Sequence, residues 1–117
     1  MSFTTKDSGK RKQFVSGMQR DTNEGKPRFE LITPLQLPYE ESMLYRWASL
    51  MARGAAKYDD RNWEKAEGEE ELNRFKESAF RHFMQAMCGE TDEDHLAAVM
   101  FNLQGWAYVE WKLKNEK

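Results

Sequence analysis

Residues 90–106 read ETDEDHLAAVMFNLQGW. Three carboxylates, Asp92, Glu93 and Asp94, run into His95, and an apolar run follows that is broken only by Asn102 and Gln104. Two readings fit. In one this is an ordinary capped helix: Thr91 is the N-cap and the acids fill the first turn, where negative charge suits the helix dipole. In the other it is one wall of a site, because His95 and Asn102 lie inside the helix and neither is an obvious core or surface choice. Either way the stretch opens a helix over about Asp92 to Lys114. Leu96, Val99, Met100, Leu103, Trp106 and Ala107 are its expected buried side, and Lys112, Lys114 and Lys117 lie at its C-terminal end.

Two more helical patterns precede it. About Glu69 to Cys88 carries the apolar seam Leu72, Phe75, Ala79, Phe83 and Ala86, with Gly89 as the stop. About Tyr39 to Lys57 carries Leu44, Trp47, Ala48, Met51 and Ala55. The short link between the second and third patterns predicts antiparallel neighbours. Upstream, residues 1–38 hold all three prolines and three glycines, which predicts an irregular arm. Within it GKPRF reads as a turn, and FELI at 29–32 as a short strand or extended packed segment. The expectation is a single all-α domain: an arm over 1–38 and a bundle of three main helices over 39–117.

Composition narrows the function classes. The chain has 117 residues, 32% charged and 13% aromatic, too aromatic for a disordered chain. A net charge of −2 supplies no basic field for nucleic acid or a membrane surface. Cys88 is the only cysteine, so no intramolecular disulfide exists, and it reads as a small packing residue. The first residues carry no apolar leader and no run is long enough to span a membrane, so a cytoplasmic setting is expected. Three helices bury a limited core, and the Trp, Phe and Met left outside predict a homo-oligomer, dimer or tetramer.

Three constellations can carry chemistry. In FKESAFRHFMQAM (75–87), Glu77, Ser78, Arg81, His82 and Gln85 share the face away from the seam. That face is either a solvated ion-pair surface or a stripe suited to a polyphosphate and its cation. In the third helix Asp94, His95, Ala98 and Asn102 share a side, and the alanine leaves open space above it. The two histidines, the only ones present, can converge across the helix pair. Acid, imidazole and amide groups there suit a divalent ion, and Mg²⁺ takes few carboxylates plus substrate phosphates. In RGAAKYDDRNW (53–63), Arg53, Lys57 and Arg61 stand near Tyr58, Asn62 and Trp63. Cations bind phosphate, an aromatic stacks on a base, and Asn reads a base or ribose edge. A solvated helix end and loop is the plain alternative, against which stands Trp63, a costly residue on a polar loop. A P-loop pattern is absent.

The blocks SGMQRD…GKPRFELI, MARGAAKYDDRNWEK and ESAFRHFMQAMCGETDEDHLAAVMFNLQGW together resemble the phage dATP/dGTP diphosphohydrolase-like proteins, relatives of the all-α MazG-type nucleoside triphosphate pyrophosphohydrolases. The resemblance spans about residues 16–106. It implies cleavage of a purine deoxynucleoside triphosphate between its α and β phosphates, giving monophosphate and pyrophosphate. It also implies an oligomeric helical bundle and Mg²⁺ or Mn²⁺ held by helix carboxylates. The MazG-type pattern pairs E-x-x-E on one helix with E-x-x-D on the next. Here Glu77 is followed by Phe80 and Arg81, and Asp94 by Ala97 and Ala98. Glu77 and Asp94 are therefore the expected metal ligands, with His82 and His95 as ligand or water-orienting groups and Glu40 or Glu41 as possible additions. Lys57, Arg61 and Arg81 would neutralise the triphosphate. Tyr58, Asn62, Trp63 and Asn102 would hold the nucleoside. Arg20, Lys26 and Arg28 of the arm either close over the phosphates or decorate a terminus. The rival classes are a nucleotide-sequestering protein without turnover and a helical interaction protein.

Overall fold

The computed structural model describes residues 3–115. The chain divides into two compact units, one ending at Ile32 and the other starting at Thr33. The first unit is more ordered than an irregular arm. Strands β1 (Arg11–Gln13) and β2 (Gln19–Asp21) pair antiparallel with Arg11 opposite Asp21 and Gln13 opposite Gln19. Gly17, at φ +94°, turns the chain between them. Asp21 organises the unit. It accepts from the Ser8 backbone and hydroxyl and pairs with Lys26 at 3.2 Å, and the Ser8 hydroxyl bond leads in holding its carboxyl well below the usual range. Arg28 pairs with Glu30. The FELI segment is a 3-10 turn over Phe29–Ile32 rather than a strand. The hairpin is too short and too exposed to show apolar alternation, which is why the sequence pattern missed it.

The second unit is the helical body. Helix α1 (Met43–Lys57) starts later than the pattern suggested, because Tyr39–Glu41 forms a 3-10 turn. Ser42 then caps α1, its hydroxyl accepting the Tyr45 N–H at 3.2 Å. Helix α2 (Glu69–Met87) opens on three glutamates, and Glu71 reaches back to the Gly68 N–H at 3.1 Å. Gly89, at φ +77°, terminates it. Helix α3 (His95–Asn115) begins three residues later than the sequence suggested. The cap is Asp94, not Thr91: its carboxylate accepts the Ala97 N–H at 3.1 Å. Helices α2 and α3 form the main packed pair, antiparallel as expected, with His82 beside His95 and Phe75 beside Phe101 and Gly105. Helix α1 packs on α3.

The buried side of α3 differs most from expectation. Its interior stripe is His95, Ala98, Asn102, Gly105 and Val109, with Ala97 beside it. Leu96, Leu103 and Ala107, expected inside, are exposed, and Val99, Met100 and Trp106 are half-buried. The reason lies at Gly105. A Cβ built there would stand 2.4–2.6 Å from three atoms of the Phe75 ring. The α2 side chains rest directly on the α3 backbone, and only small or locally hydrogen-bonded residues allow that approach. Ala66, Leu72 and Val109 form the apolar core, with Phe75, Trp106 and Leu113 around it. Leu44 and Ala48 of α1 are likewise exposed, as is half of Phe83. Phe80, Phe83, Met84 and Met87 thus form an apolar stripe at i, i+3, i+4 and i+7 on the outside of α2. No helix among the described residues is long and apolar enough to cross a membrane.

Arg46 joins α1 to the start of α3. Its guanidinium forks onto Asp94 at 2.8 and 2.7 Å, and that pairing leads in holding the Asp94 carboxyl below its ordinary range. Both side chains are under a third exposed. A broken pair there should cost between the ~0.2–1 kcal/mol of exposed pairs and the ~3–5 kcal/mol of buried ones. Arg46→Ala is therefore expected to lower the melting temperature by several degrees, measured by thermal denaturation. An unchanged melt would show that the fork contributes nothing.

Candidate functional site

A cavity of about 500 Å³ opens in the helical unit. Its walls come from four pieces of chain. Helix α1 and the segment after it give Arg53, Gly54, Lys57, Tyr58, Asp59, Arg61, Asn62 and Trp63; α2 gives Ser78 and His82; the α2–α3 link gives Glu93; α3 gives Ala98, Phe101 and Asn102. The expectation that Ala98 leaves open space holds, and Gly54 faces open space as well. A second hollow of about 460 Å³, beside Tyr45 and Ser49, has no cation or carboxylate in its wall.

The 53–63 segment is held in place by α3. Trp63 packs edge-on against Tyr108, ring centroids 5.2 Å apart, which explains a tryptophan on a polar link. The Lys112 ammonium donates to the Glu64 and Ala66 carbonyls at 2.7 and 3.0 Å, closing the 3-10 turn Asn62–Lys65. Arg61, just before that turn, adopts φ +59°, a left-handed conformation uncommon for any residue but glycine. Its guanidinium bonds Glu64 at 2.6 Å. The Lys57 ammonium sits 5.1 Å from the Tyr58 ring centre. Arg53, Lys57 and Arg61 thus line the cavity together with Tyr58, Asn62 and Trp63.

Helix α2 brings His82 to the same cavity, and His95 pairs with it. The Nδ1 atoms of His82 and His95 are 2.9 Å apart, and His95 Nε2 is 2.7 Å from the Asp92 carboxylate. His95 is buried and His82 half-buried. Burial, and then the nearby Arg81 charge, push the His82 pKa down, so its ring is neutral at pH 7. In a neutral His95 the carboxylate draws the ring proton to Nε2, leaving Nδ1 as the acceptor for His82. The same bond leads in lowering the Asp92 carboxyl. Asn102 is buried, and its amide N–H donates to the Ala98 carbonyl at 2.7 Å, which fixes its rotamer at the cavity wall. Among the described residues, Gln85 Oε1 is the buried side-chain polar atom with no partner, one turn of α2 beyond His82.

Seven sequence-derived candidates meet at the cavity: Lys57, Tyr58, Arg61, Asn62, Trp63, His82 and Asn102. His95 reaches it through His82. Others do not join them. Glu77 and Arg81 are exposed and outside the lining, because they lie on the outer flank of the stripe whose inner flank is Ser78 and His82. Asp94 is taken by Arg46 and by the α3 N-terminus. No group of three potential metal ligands among the described residues includes Glu77 or Asp94. In their place the structure brings His82, His95 and Glu93 together, ligand atoms within 4.8 Å of one another. Asp59 is the other carboxylate at the cavity. Glu93 and Asp59 were not singled out in the sequence. Glu93 looked like a helix-start acid, and only the late start of α3 frees it to face the cavity.

A family model described as "dATP/dGTP diphosphohydrolase, N-terminal" matches residues 16–117. No curated protein and no solved structure matches the chain.

Proposed function

The chain belongs to the dATP/dGTP diphosphohydrolase N-terminal family, and from that membership we propose that its cavity binds a purine deoxynucleoside triphosphate and hydrolyses it to monophosphate and pyrophosphate. The observation that carries this reading is that Arg53, Lys57 and Arg61, with Tyr58, Asn62 and Trp63, line one cavity together with Glu93 and His82. A triphosphate needs cations. A nucleoside needs an aromatic face and an amide edge. The reacting phosphate needs carboxylates nearby.

In this reading water attacks the α-phosphorus, the bond from the α-phosphorus to the bridging oxygen breaks, and pyrophosphate leaves with the bond electrons. Arg53, Lys57 and Arg61 stabilise the charge that builds on the leaving group. Asp59 takes the proton of the attacking water. Asn102, its rotamer fixed by Ala98, and Trp63, braced by Tyr108, orient the sugar and base. Mg²⁺ or Mn²⁺, which takes one or two carboxylates together with substrate phosphates, would supply further charge neutralisation and activate the water. Glu93 fits that requirement, since it is a carboxylate at the cavity wall. Glu77 and Asp94 are displaced from the role by their positions. A homo-oligomer remains part of the proposal: the Phe80, Phe83, Met84 and Met87 stripe is the face a second copy would cover, and sedimentation measures its presence.

Incubation of the pure protein with each deoxynucleoside triphosphate and Mg²⁺ or Mn²⁺, with products separated by ion-exchange chromatography, tests the reading. The expected products are monophosphate and pyrophosphate, fastest from dATP and dGTP. Orthophosphate or inorganic triphosphate as product would overturn it. Binding without product would favour sequestration, the reading to which the engagement of Asp94 by Arg46 lends support.

A further inference from the structure

We propose that His82, His95 and Glu93 form a site selective for a transition-metal dication of the Mn²⁺ to Zn²⁺ series over Mg²⁺. The site deepens the functional reading above and rests on it only for the claim that the bound ion serves nucleotide hydrolysis. Metal binding itself stands on geometry.

Four observations converge. The first is the donor set. Two imidazole nitrogens and one carboxylate oxygen lie within 4.8 Å of one another. Mg²⁺ prefers oxygen ligands and retains its water, whereas imidazole favours the transition dications. The second is spacing. Two imidazole nitrogens bound to one ion at ~2.0–2.1 Å stand about 2.9 Å apart at right angles and about 3.4 Å apart in the tetrahedral arrangement, so a ring movement of a few tenths of an ångström spans both. The two Nδ1 atoms are 2.9 Å apart. The third is the outer carboxylate. Asp92 holds His95 Nε2 at 2.7 Å, so the His95 Nδ1 lone pair points at His82. A histidine ligand usually donates its other ring N–H to such a group, which fixes the tautomer and raises the basicity of the ligating nitrogen. The fourth is access. His82 and Glu93 both line the cavity, so positions left open on an ion held there face the space a substrate would fill.

In the metal-free protein the short Nδ1–Nδ1 contact is a hydrogen bond that needs one proton. Binding moves that proton from His82 Nδ1 to its Nε2, which frees both lone pairs without changing the charge of either ring. Three protein ligands leave open positions, the pattern of an ion that also takes water or substrate.

The 117-residue protein, stripped with a chelator and dialysed, is titrated with Co²⁺ while its visible d–d absorption is recorded, and separately with Mn²⁺ by electron paramagnetic resonance. The expected result is one Co²⁺ per chain with bands that show nitrogen coordination, unaffected by millimolar Mg²⁺. Asp92→Asn should weaken Co²⁺ affinity by about 10–100-fold. Glu93→Gln, on an exposed residue, should weaken it while leaving the melt unchanged. His82→Asn should abolish the nitrogen signature. Because His95 is buried, its variant is replaced by these three, and circular dichroism verifies that each is folded. Absence of the bands in the wild type, equal affinity in Glu93→Gln and His82→Asn, or displacement by equimolar Mg²⁺ would each overturn the site. The two readings separate cleanly. Nucleotide hydrolysis with Mg²⁺ alone that is unaffected by His82→Asn, together with absent Co²⁺ bands, leaves the enzyme standing and removes the metal site. Stoichiometric Co²⁺ without hydrolysis does the reverse.

Discussion

Gly105→Ala is expected to lower stability, although the same change in an ordinary helix interior raises it by about 1 kcal/mol. The new methyl carbon would sit 2.4–2.6 Å from the Phe75 ring. That ring packs edge-on against Phe101, centroids 5.8 Å apart, and flanks the apolar core, so moving it disturbs both. Overpacking of this kind costs roughly 1–3 kcal/mol, which outweighs the propensity gain in most of that range. For a unit of this size each kcal/mol moves the melting temperature by about 4–8 °C. Gly105→Leu, which adds three more carbons at the same point, should leave little folded protein at 37 °C. Replacing Phe75 with leucine in the Gly105→Ala background should recover part of the loss, because it removes the clashing ring atoms. The sign is the test: a Gly105→Ala protein that melts at or above the wild type would mean that the Phe75 ring does not rest on the α3 backbone there.

The second large effect is catalytic. Lys57→Ala and Arg53→Ala are each expected to lower kcat/KM for the triphosphate by about 10²-fold, the scale on which single stabilising donors act in active sites. Both residues are exposed, so the melt should move by less than about 0.5 kcal/mol. Arg61 needs a different substitution. Its left-handed backbone would stay strained under alanine, whereas Arg61→Gly removes the charge and the strain together. Arg74→Ala, an exposed cation of α2 outside the cavity lining, serves as the control and should behave as wild type. Equal losses from Arg74→Ala and Lys57→Ala would reduce the cation effect to general charge and sink the assignment of the cavity.

The helices were legible because their ends are marked locally. Gly89 and the glutamates at 69–71 act within a turn of their own position, and a linear reading reaches that far, whereas the apolar pattern passes over Ser42 and places α1 four residues early. The start of α3 was misplaced because the choice between Thr91 and Asp94 as cap is made by Arg46, far away in sequence. The face of α3 was misread for a related reason. Hydropathy favours Leu96 and Leu103 as interior, but the closeness of α2 selects Gly105, Ala98 and an Asn102 that satisfies itself on Ala98. At the site, the cation–aromatic segment 53–63 was readable as one continuous stretch. Glu77 and Asp94 failed to join it because a wheel gives each residue's angle on its own helix and not the angle at which a neighbour meets it. The carboxylates that line the cavity, Glu93 and Asp59, lie outside regular helix, where periodicity has nothing to say.

The fork between Arg46 and Asp94 does more than add stability. Asp94 stands between Glu93 and His95 in the chain, so the bond that docks α1 also sets the rotation at which those two neighbours are presented. The protein thereby contains an interlock. The two imidazoles meet within the α2–α3 pair, whereas Arg53 and Lys57 come with α1, so the fork ties the cation-bearing helix to the stretch that carries Glu93 and His95. A chain with the fork broken would keep its histidine contact and lose the tie between that contact and its cations.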